Sequence, residues 1–205
     1  MMTSTKNCIG SAILAAMCTA TTTEAQQASE IFLGYSFLQA DPGGATFNGI
    51  PIELETNAMH GAEATATYYT SPRLGFDFTF AVHNGNIAVP PGLVPEGTPV
   101  SIDFRQVAFM AGPRVRLTPP RANFEFAVRA VVGASIGNAR AVAGLFALDA
   151  DSTVLALSTG ASLSVRLGDS FKYRIAQPEL YITKFGDATQ VSFRVSTGIV
   201  FGYGR

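Results

Sequence analysis

The sequence of 205 residues predicts an all-β chain, an eight-stranded antiparallel up-and-down transmembrane β-barrel preceded by a cleaved signal peptide. Three observations predict this fold. Apolar and polar residues alternate with period two along almost the whole chain after residue 26, and helical periodicity is almost absent. The segments that connect the alternating runs are short and long in turn. Hydrophobic residues make up 47% of the chain and charged residues 14%, yet no apolar run reaches the roughly 18 residues of a membrane helix.

The N-terminal segment has the three parts of a secretory signal. Lys6 supplies the positive charge, residues 9–20 form an apolar stretch, and residues 23–25 offer a cleavage site with a small residue. We therefore predict a signal peptide over residues 1–25 and a β-barrel domain over residues 26–205. An N-terminal helix that stays attached is the alternative.

Cysteine usage and net charge exclude several classes of protein. Both cysteines, Cys8 and Cys18, lie in the predicted signal peptide, so we expect no disulfide and no cysteine-based site in the domain that follows. Lipidation at Cys18 is disfavoured because Met17 precedes it, where a small residue is required. The formal net charge is -1 and no basic stretch occurs, which argues against a nucleic-acid partner.

The eight predicted strands carry alternating faces. In the third, large apolar residues such as Phe76, Phe78 and Phe80 alternate with small or polar ones such as Gly75 and Asp77. The predicted strands cover residues 29–40, 58–69, 73–84, 101–117, 122–136, 152–167, 170–185 and the closing run from residue 191.

The connections indicate which ends of the strands meet. Three connections are tight and turn-like, at residues 70–73, 118–121 and 167–170. The connections between them are longer, at residues 41–57, 84–100 and 137–151, and the last of this second kind, near residue 187, is shorter than the other three. This alternation is typical of outer-membrane barrels, which have short periplasmic turns, longer outward loops and an even number of strands. We therefore expect both termini of the barrel on the periplasmic side.

Two predicted strands change the phase of their alternation. In the fourth predicted strand, Phe104 and Phe109 are an odd number of residues apart, so strict alternation would place these two large apolar side chains on opposite faces. A β-bulge near Arg105 would bring them to the same face, and we expect one there. In the seventh, Pro178 has no backbone N–H to donate and the phase changes around it, so we expect a second bulge there.

The face opposite the large apolar residues is made of small and weakly polar groups with few charges. A narrow lumen needs small residues that can fill it and ions of both signs that can pair. We therefore predict a structural ion-pair network in the lumen, formed by Glu63, Asp77, Glu125, Arg129, Lys172, Arg174 and Arg194. A soluble lipocalin-like barrel is the alternative, but it would carry more charge on its outer face, and the chain has no Trp for the lipocalin first-strand signature.

The closing strand shows the same two faces. We expect Val195, Ile199, Phe201 and Tyr203 to face lipid. The opposite face, with Arg194, Ser196, Gly198 and Gly202, is expected to line the lumen beside Gly34 and Ser36 of the first strand.

Aromatic residues gather near the tight-turn ends of several strands. An aromatic girdle at the inner membrane interface would have this placement, although aromatic residues also favour strands in general. The members of this predicted girdle are Tyr68, Tyr69, Phe171, Tyr173, Phe201 and Tyr203.

The C-terminal half resembles the small outer-membrane β-barrel family of OmpA-like and OmpX-like porin-type domains. The resemblance rests on the glycine-rich run and aspartate turn in LALSTGASLSVRLGDSFKYRIAQPELYITKF, and on VSFRVSTGIVFGYG. Arg174, Gln177, Glu179 and Tyr181 match the family's seventh strand, while AGPRVRL and ANFEFAVRAVVGAS resemble its fourth and fifth strands. The resemblance implies a fold and an outer-membrane location, and it implies no reaction. The chain departs from the family by ending on Gly204-Arg205 rather than on an aromatic residue.

Some outer-membrane barrels are lipid-modifying enzymes with a histidine at the outer rim. The chain has two histidines, His60 and His83, both predicted at that rim together with Asp103, Asp149, Asp151 and Ser152. No stretch pairs His and Ser closely, so a rim-histidine enzyme remains the alternative and no catalytic, cofactor-binding or metal-binding residue is predicted.

The predicted function is that of a bacterial outer-membrane barrel with a structural, envelope-integrity or surface-interaction role, and not that of a wide pore or an enzyme. The expected partners are outer-membrane lipids and lipopolysaccharide, together with the assembly machinery that reads the C-terminal strand. We expect no nucleic-acid partner, no cofactor and a monomeric state.

Overall fold

The structure is a computed structural model that describes residues 29–40, 44–47, 50–53, 57–87, 100–119, 122–143, 146–185 and 188–203. The predicted signal peptide and the terminal Gly204-Arg205 lie outside the described residues. Within the described part of the chain, no helix is long and apolar enough to cross a membrane.

Ten β-strands form the described part of the molecule. They are β1 (Ser29–Ala40), β2 (Gly44–Phe47), β3 (Ile50–Glu53), β4 (Asn57–Tyr69), β5 (Leu74–Ile87), β6 (Val100–Arg116), β7 (Phe124–Ala143), β8 (Phe146–Arg166), β9 (Phe171–Phe185) and β10 (Ala188–Tyr203). Eight of them close into an antiparallel barrel in the order β1-β10-β9-β8-β7-β6-β5-β4, and β2 pairs only with β3. The predicted fold, an eight-stranded up-and-down barrel, is confirmed.

Closure occurs between the first and last strands of the chain. β1 pairs with β10 without interruption from Ser29 opposite Tyr203 to Gln39 opposite Phe193, and its other edge pairs with β4. Every barrel strand therefore has two hydrogen-bonded neighbours. At the far end, residues 146–154 of β8 extend past β9 and pair only with β7.

Tight turns connect the strands at one end of the barrel, here called the turn end. The β4–β5 turn is held by Thr70 N–H, which donates to Leu74 O at 2.9 Å, and by Ser71 Oγ, which accepts from Leu74 N–H at 3.0 Å. β8 and β9 are joined by residues 167–170, and β6 and β7 by a segment that begins at residue 117. The turns at residues 70–73 and 167–170 lie where the sequence predicts them, whereas the predicted turn at 118–121 lies partly outside the described residues.

The opposite end, here called the far end, has longer strands than predicted. β7 and β8 continue as a paired hairpin up to Ala143 opposite Phe146, although residues 137–151 are predicted as a loop. Apolar and polar residues alternate only weakly in this segment, so the sequence pattern does not mark it as a strand. The backbone of a hairpin can nevertheless form its hydrogen bonds whatever side chains it carries. The first predicted loop likewise contains the β2–β3 hairpin.

The prediction of a β-bulge near Arg105 is wrong. The register between β5 and β6 runs unbroken from Leu74 opposite Val115 to Ile87 opposite Ile102. Phe104 faces inward like Gln106 and packs against an apolar cluster in the far half of the lumen, so a large side chain on this face needs no change of phase. That cluster contains Leu38, Met59, Ala108, Met110, Val131, Ala156 and Tyr181.

The bulge predicted around Pro178 is present and is centred a few residues earlier. The register of β9 shifts by one residue between Arg174 and Gln177 against both β8 and β10. The extra residue lets Arg174 and Gln177, three positions apart, both face the lumen. Strict alternation from Arg174 would turn Pro178 and Leu180 inward, whereas the bulge turns Gln177 and Glu179 into the lumen.

Gly133 on β7 lies directly against the backbone of β6. A Cβ atom on Gly133 would lie 1.9 Å from the carbonyl oxygen of Phe109 and 2.7 Å from the Cα of Met110, and both of these are backbone atoms that cannot move aside. The close approach of the two strands therefore requires glycine at this position.

Replacing this glycine tests the close packing of the wall. We expect Gly133→Ala to lower the free energy of unfolding by about 1–3 kcal/mol, because overpacking against backbone cannot be relieved by a rotamer change. Gly168→Ala is the matched control, since a Cβ there meets nothing within 4 Å, and it should change stability by less than about 0.5 kcal/mol. Denaturant unfolding of both refolded variants checks this, and equal stabilities would contradict it.

Candidate functional site

Inside the described part of the barrel, eleven charged side chains are linked to one another by ion pairs or through Gln177, and ten of them are buried. They are five carboxylates, Glu30, Glu63, Asp77, Glu125 and Glu179, and six cations, Arg114, Arg116, Arg129, Lys172, Arg174 and Arg194. We call this set the lumen network. All seven residues that the sequence predicts for an internal network belong to it.

Arg129 on β7 is the centre of the lumen network. Its guanidinium contacts Glu63 at 2.8 Å and Asp77 at 3.4 Å, and its Nε donates to Glu179. Nη1 also donates to the hydroxyl of Thr79 at 3.1 Å. One cation thus joins carboxylates from β4, β5 and β9 across the whole width of the lumen.

Glu63 and Glu179 are also held from the β9–β10 side of the barrel. Nε of Arg194 donates to Glu179 at 2.8 Å and lies 3.9 Å from Glu63. The hydroxyl of Ser196 and the amide of Gln177 donate to Glu63 at 2.7 and 3.0 Å. The two carboxylates are therefore fully engaged, as buried charges have to be.

A second group of charges closes the lumen near the turn end. Arg116 contacts Glu30 at 2.7 Å and Glu125 at 3.0 Å, and the Lys172 ammonium binds the same two carboxylates. The guanidinium of Arg116 lies 4.1 Å from the ring centre of Tyr69 in a cation–π contact.

Arg114 joins the two groups into one network. It contacts Glu125 at 3.4 Å on the turn side and Asp77 at 3.5 Å on the central side, and it donates to Ser162 at 2.9 Å. The charges therefore form a continuous chain of contacts from Glu30 near the turn end to Arg194 at the centre.

Arg174 differs from the other cations of the lumen network. Within the described residues it has no carboxylate within ion-pair distance; its Nη1 donates to Gln177, and its guanidinium lies 4.1 Å from the ring centre of Phe32. Since Gln177 donates in turn to Glu63, Arg174 reaches the carboxylates only through an amide.

Four members of the lumen network were missed by the sequence analysis: Glu30, Arg114, Arg116 and Glu179. Glu30 lies on the same face of β1 as Ser36, and Arg114 alternates with the outward Val115, so the period of two could have identified both. Glu179 takes its inward place only after the β9 bulge, where alternation no longer predicts the face.

The outer wall carries a continuous band of exposed apolar side chains, here called the apolar belt. On β5, Leu74, Phe76, Phe78, Phe80 and Val82 all point outward. Other strands present Leu33, Tyr35, Phe109, Val115, Phe124, Phe126, Val128, Val132, Leu155, Leu157, Leu163, Tyr173, Ile175, Leu180, Val191, Phe193 and Ile199. The polarity of an ordinary soluble domain is thus inverted, with charges inside and large apolar groups outside.

The apolar belt ends sharply toward the far end. Outward positions change from Val82 to Asn84 on β5 and from Val107 to Arg105 on β6, and the two polar residues lie opposite each other in register. The strands continue beyond this level, so about a third of β7 lies past the belt.

The predicted aromatic girdle is only partly formed at the turn end. Phe171 and Phe201 are outward with ring centres 5.2 Å apart, and Tyr68 and Tyr173 are exposed as well. Tyr69 is an exception, because it points into the lumen under Arg116. The side chain of Tyr203 lies outside the described residues.

The closing strand has the two predicted faces. Arg194 and Ser196 are buried in the lumen, and Gly198 lies opposite Gly34, whereas Ile199 and Phe201 are exposed on the outer wall. The hydroxyl of Ser196 also meets Ser36 at 3.0 Å, which joins the first and last strands inside the barrel.

The two histidines lie on adjacent strands but on opposite faces of the wall. His60 is exposed outside, where its Nδ1 contacts the hydroxyl of Tyr35, whereas His83 is 2% exposed inside, with Nε2 at 2.9 Å from Ser36 Oγ. They cannot act on one substrate together. Among the described residues, no three His, Cys, Asp or Glu side chains are placed to hold a metal ion.

Comparisons with known proteins find the fold but no sequence relative. No family model and no curated protein matches the chain. Among solved structures, the attachment invasion locus protein Ail of Yersinia pestis matches with a TM-score of 0.57 at 17% identity, over 86% of this chain and 99% of that one. Neisserial surface protein A matches with 0.57 at 12% over 86% and 99%, and a major outer membrane protein of Thermus thermophilus with 0.57 at 9% over 85% and 99%. The resemblance to small outer-membrane barrels is thus confirmed for the fold.

Removing the central cation tests how far the lumen network depends on it. We expect Arg129→Met to lower the free energy of unfolding by about 3–5 kcal/mol, because three carboxylates lose a shared buried partner. Arg73→Met is the control: Arg73 is an exposed arginine in the β4–β5 turn, and its loss should cost less than about 0.5 kcal/mol. Denaturant titration of the refolded proteins measures both, and similar values for the two variants would refute the central role of Arg129.

Proposed function

We propose that this chain, which has the fold of the small eight-stranded outer-membrane β-barrels, resides in a bacterial outer membrane as a closed barrel with a structural or surface-interaction role. The observation that carries the proposal is the inverted polarity of the wall. The large apolar side chains face outward, and the charged side chains face the lumen.

The rival interpretation, a soluble lipocalin-like barrel, predicts the opposite distribution. Such a barrel turns its large apolar side chains inward around a ligand and exposes charge to water. Here Phe78 is 52% exposed and Leu74 48%, while Arg129 and Glu63 are buried. An apolar surface of this extent needs a cover, and lipid is a cover that surrounds a barrel on all sides.

The height of the apolar belt supports a membrane. From Leu74 to Val82, β5 advances eight residues. At a rise of about 3.3 Å per residue and a tilt of about 40°, these residues cover about 20 Å along the barrel axis. With the side chains at both edges, the belt approaches the roughly 25 Å apolar band of outer-membrane barrels.

The filled lumen supports a role other than that of a wide pore. Arg129 and its carboxylates cross the lumen at its centre, and Met59, Tyr181 and neighbouring apolar groups fill the far half. Eight strands enclose a space that side chains can fill. We assign the lumen network a structural role as a plug that orders the barrel.

The proposal also covers the orientation of the barrel, its partners and its targeting to the outer membrane. The tight turns and both barrel termini would face the periplasm, and the extended β5–β8 end would face outward. The barrel would contact outer-membrane lipids and lipopolysaccharide as a monomer, after signal-peptide cleavage and assembly through β10. Ail is named for attachment and invasion and Neisserial surface protein A for its surface location, which favours a surface-interaction role for the far end.

Catalysis is not part of the proposal. The one histidine with a serine partner, His83, is sealed in the lumen with Ser36, and neither side chain is accessible to a lipid substrate. A lipid-modifying enzyme would need its reacting groups at the rim or at the lipid interface.

Fractionation of cells that express the full chain tests the proposal directly. We expect the protein in the outer-membrane fraction, with faster gel migration when unheated than when boiled, because a closed barrel resists detergent until it is heated. Recovery of the folded protein in the soluble periplasm would overturn the proposal and favour the soluble barrel.

A charged substitution on the outer wall tests whether lipid or water surrounds the apolar belt. Phe78→Arg at mid-belt should cost about 2–4 kcal/mol in lipid vesicles, whereas Leu74→Arg at the turn-side edge should cost about 0–1 kcal/mol. The side chains of Phe78 and Leu74 are similarly exposed. If water surrounded the wall, both substitutions would therefore leave the free energy of unfolding nearly unchanged. Unfolding titrations in vesicles measure the difference, and two equally small costs would count against a lipid-facing belt.

A further inference from the structure

The charges of the lumen network do not balance. The network contains six cations and five carboxylates, which leaves an excess of one positive charge. Apart from these residues, no Asp, Glu, Lys or Arg side chain of the described part of the chain is buried. Arg166 and Asp169 at the β8–β9 turn add one charge of each sign, and both already have partners. The interior of the barrel therefore carries a positive charge that its own carboxylates do not neutralise.

The excess charge is located at Arg174. Its side chain is buried, and within the described residues no carboxylate lies at ion-pair distance from its guanidinium. The strongest Coulomb effect that another charged group exerts on it is repulsion by Arg114, followed by repulsion by Arg129. A buried charge in such surroundings is costly unless an opposite charge reaches it.

Two buried donors lie beside this charge without a protein partner. Nε of Arg174 and Oγ of Ser164 each have no hydrogen-bond partner among the described residues. Ser164 on β8 is directly opposite Arg174 on β9, and both side chains are buried on the lumen side. Residues opposed in this way have Cβ atoms about 5 Å apart, so the two donors belong to the same small region of the lumen.

Arg114 on β6 brings a third donor to this region. Its Nη2 donates at 2.9 Å to Ser162, which lies two residues from Ser164 on the same face of β8. Its Nε has no hydrogen-bond partner among the described residues. Donors from three strands therefore meet near the unpaired guanidinium of Arg174.

The carboxylate that faces this region from β7 is already engaged. Glu125 lies opposite Ser164 in register. Its Oε2 accepts from Arg116 at 3.0 Å and also binds the ammonium of Lys172. Glu125 is therefore held by other cations and does not neutralise Arg174.

We propose that Arg174, Ser164 and Arg114 form a binding site for a small monovalent anion, with chloride as the occupant. Guanidinium and hydroxyl groups donate to anions, and the anion supplies the negative charge that the lumen network lacks. The ring of Phe32 lies against the guanidinium of Arg174 at 4.1 Å, while the N–H groups of a guanidinium point outward in its own plane. The inference goes beyond the proposed function, because it concerns the interior of the barrel and not what surrounds the wall.

Unfolding at different chloride concentrations tests the proposal, with the protein refolded into phosphatidylcholine vesicles. Urea is the denaturant, and sodium gluconate replaces sodium chloride at constant ionic strength, so that the chloride concentration alone changes. Each tenfold rise in chloride above its dissociation constant should raise the folding equilibrium constant of the unaltered protein about tenfold. Arg73→Met, which removes an exposed arginine of the β4–β5 turn, should show the same dependence. A folding equilibrium that does not respond to chloride would refute the site.

Two variants inside the barrel locate the effect. Arg174→Met should abolish the chloride dependence, and without chloride it should be at least as stable as the unaltered protein, because it no longer buries an unpaired charge. Ser164→Ala keeps the charge and loses one donor, so we expect its chloride affinity to fall about tenfold. Chloride dependence that persists in Arg174→Met would overturn the proposal. Equal destabilisation of Arg174→Met at every chloride concentration would do the same, since it would show a structural role alone.

Bromide identifies the occupant directly. In crystals grown with bromide in place of chloride, anomalous scattering should show one bromide ion within hydrogen-bond distance of Arg174 Nε and Ser164 Oγ. A site without anomalous signal, filled by water, would contradict the proposal. Cell fractionation tests the proposed function separately, so the anion site and the membrane assignment can fail independently.

Discussion

The pairing of β1 with β10 is the constraint on which the rest of the structure depends. It runs unbroken from Ser29 opposite Tyr203 to Gln39 opposite Phe193, and it removes the two open edges that eight strands would otherwise present. In lipid, unpaired N–H and C=O groups cost several kcal/mol each, so an open sheet could not remain there. Closure also sets the circumference, and with it the width of the lumen.

The width of the lumen decides which charges can meet. Arg129 on β7 reaches Glu63 on β4 and Glu179 on β9, strands that lie on different sides of the barrel. These contacts exist only when the barrel is closed and in register, because a slip of one residue would turn Arg129 toward the outer wall. Buried ion pairs add little stability of their own on average. We infer that the lumen network contributes specificity instead, since its contacts fit one register of the wall.

The outer wall complements this interior. In the described part of the chain, most charges lie in the lumen, in the turns or beyond the apolar belt. Lys184 on β9 is an exception, because it is exposed opposite Leu155. The belt ends sharply on β5 and β6, where the outward side chain changes from Val82 to Asn84 and from Val107 to Arg105. A membrane protein needs such an edge where acyl chains give way to headgroups.

Much of this could be predicted from the sequence because a strand alternates its faces strictly. Turn-forming residues marked the tight connections. Period two was enough to assign the eight strands and the inward position of seven charged residues, Glu63, Asp77, Glu125, Arg129, Lys172, Arg174 and Arg194. It failed where alternation is weak or misleading. The β7–β8 hairpin extends through residues that do not alternate, and Phe104 points inward because the far half of the lumen is itself apolar.

The sequence alone thus determined the fold class and the side of the wall on which most residues lie, since both follow from local backbone geometry. Only the tertiary structure decided which charges pair, that Arg174 meets an amide and a ring rather than a carboxylate, and that Gln177 and Glu179 turn inward after the β9 bulge. Those contacts join residues far apart in the chain, and their geometry depends on strand register, on the β9 bulge and on barrel closure. No local pattern of residues encodes that geometry.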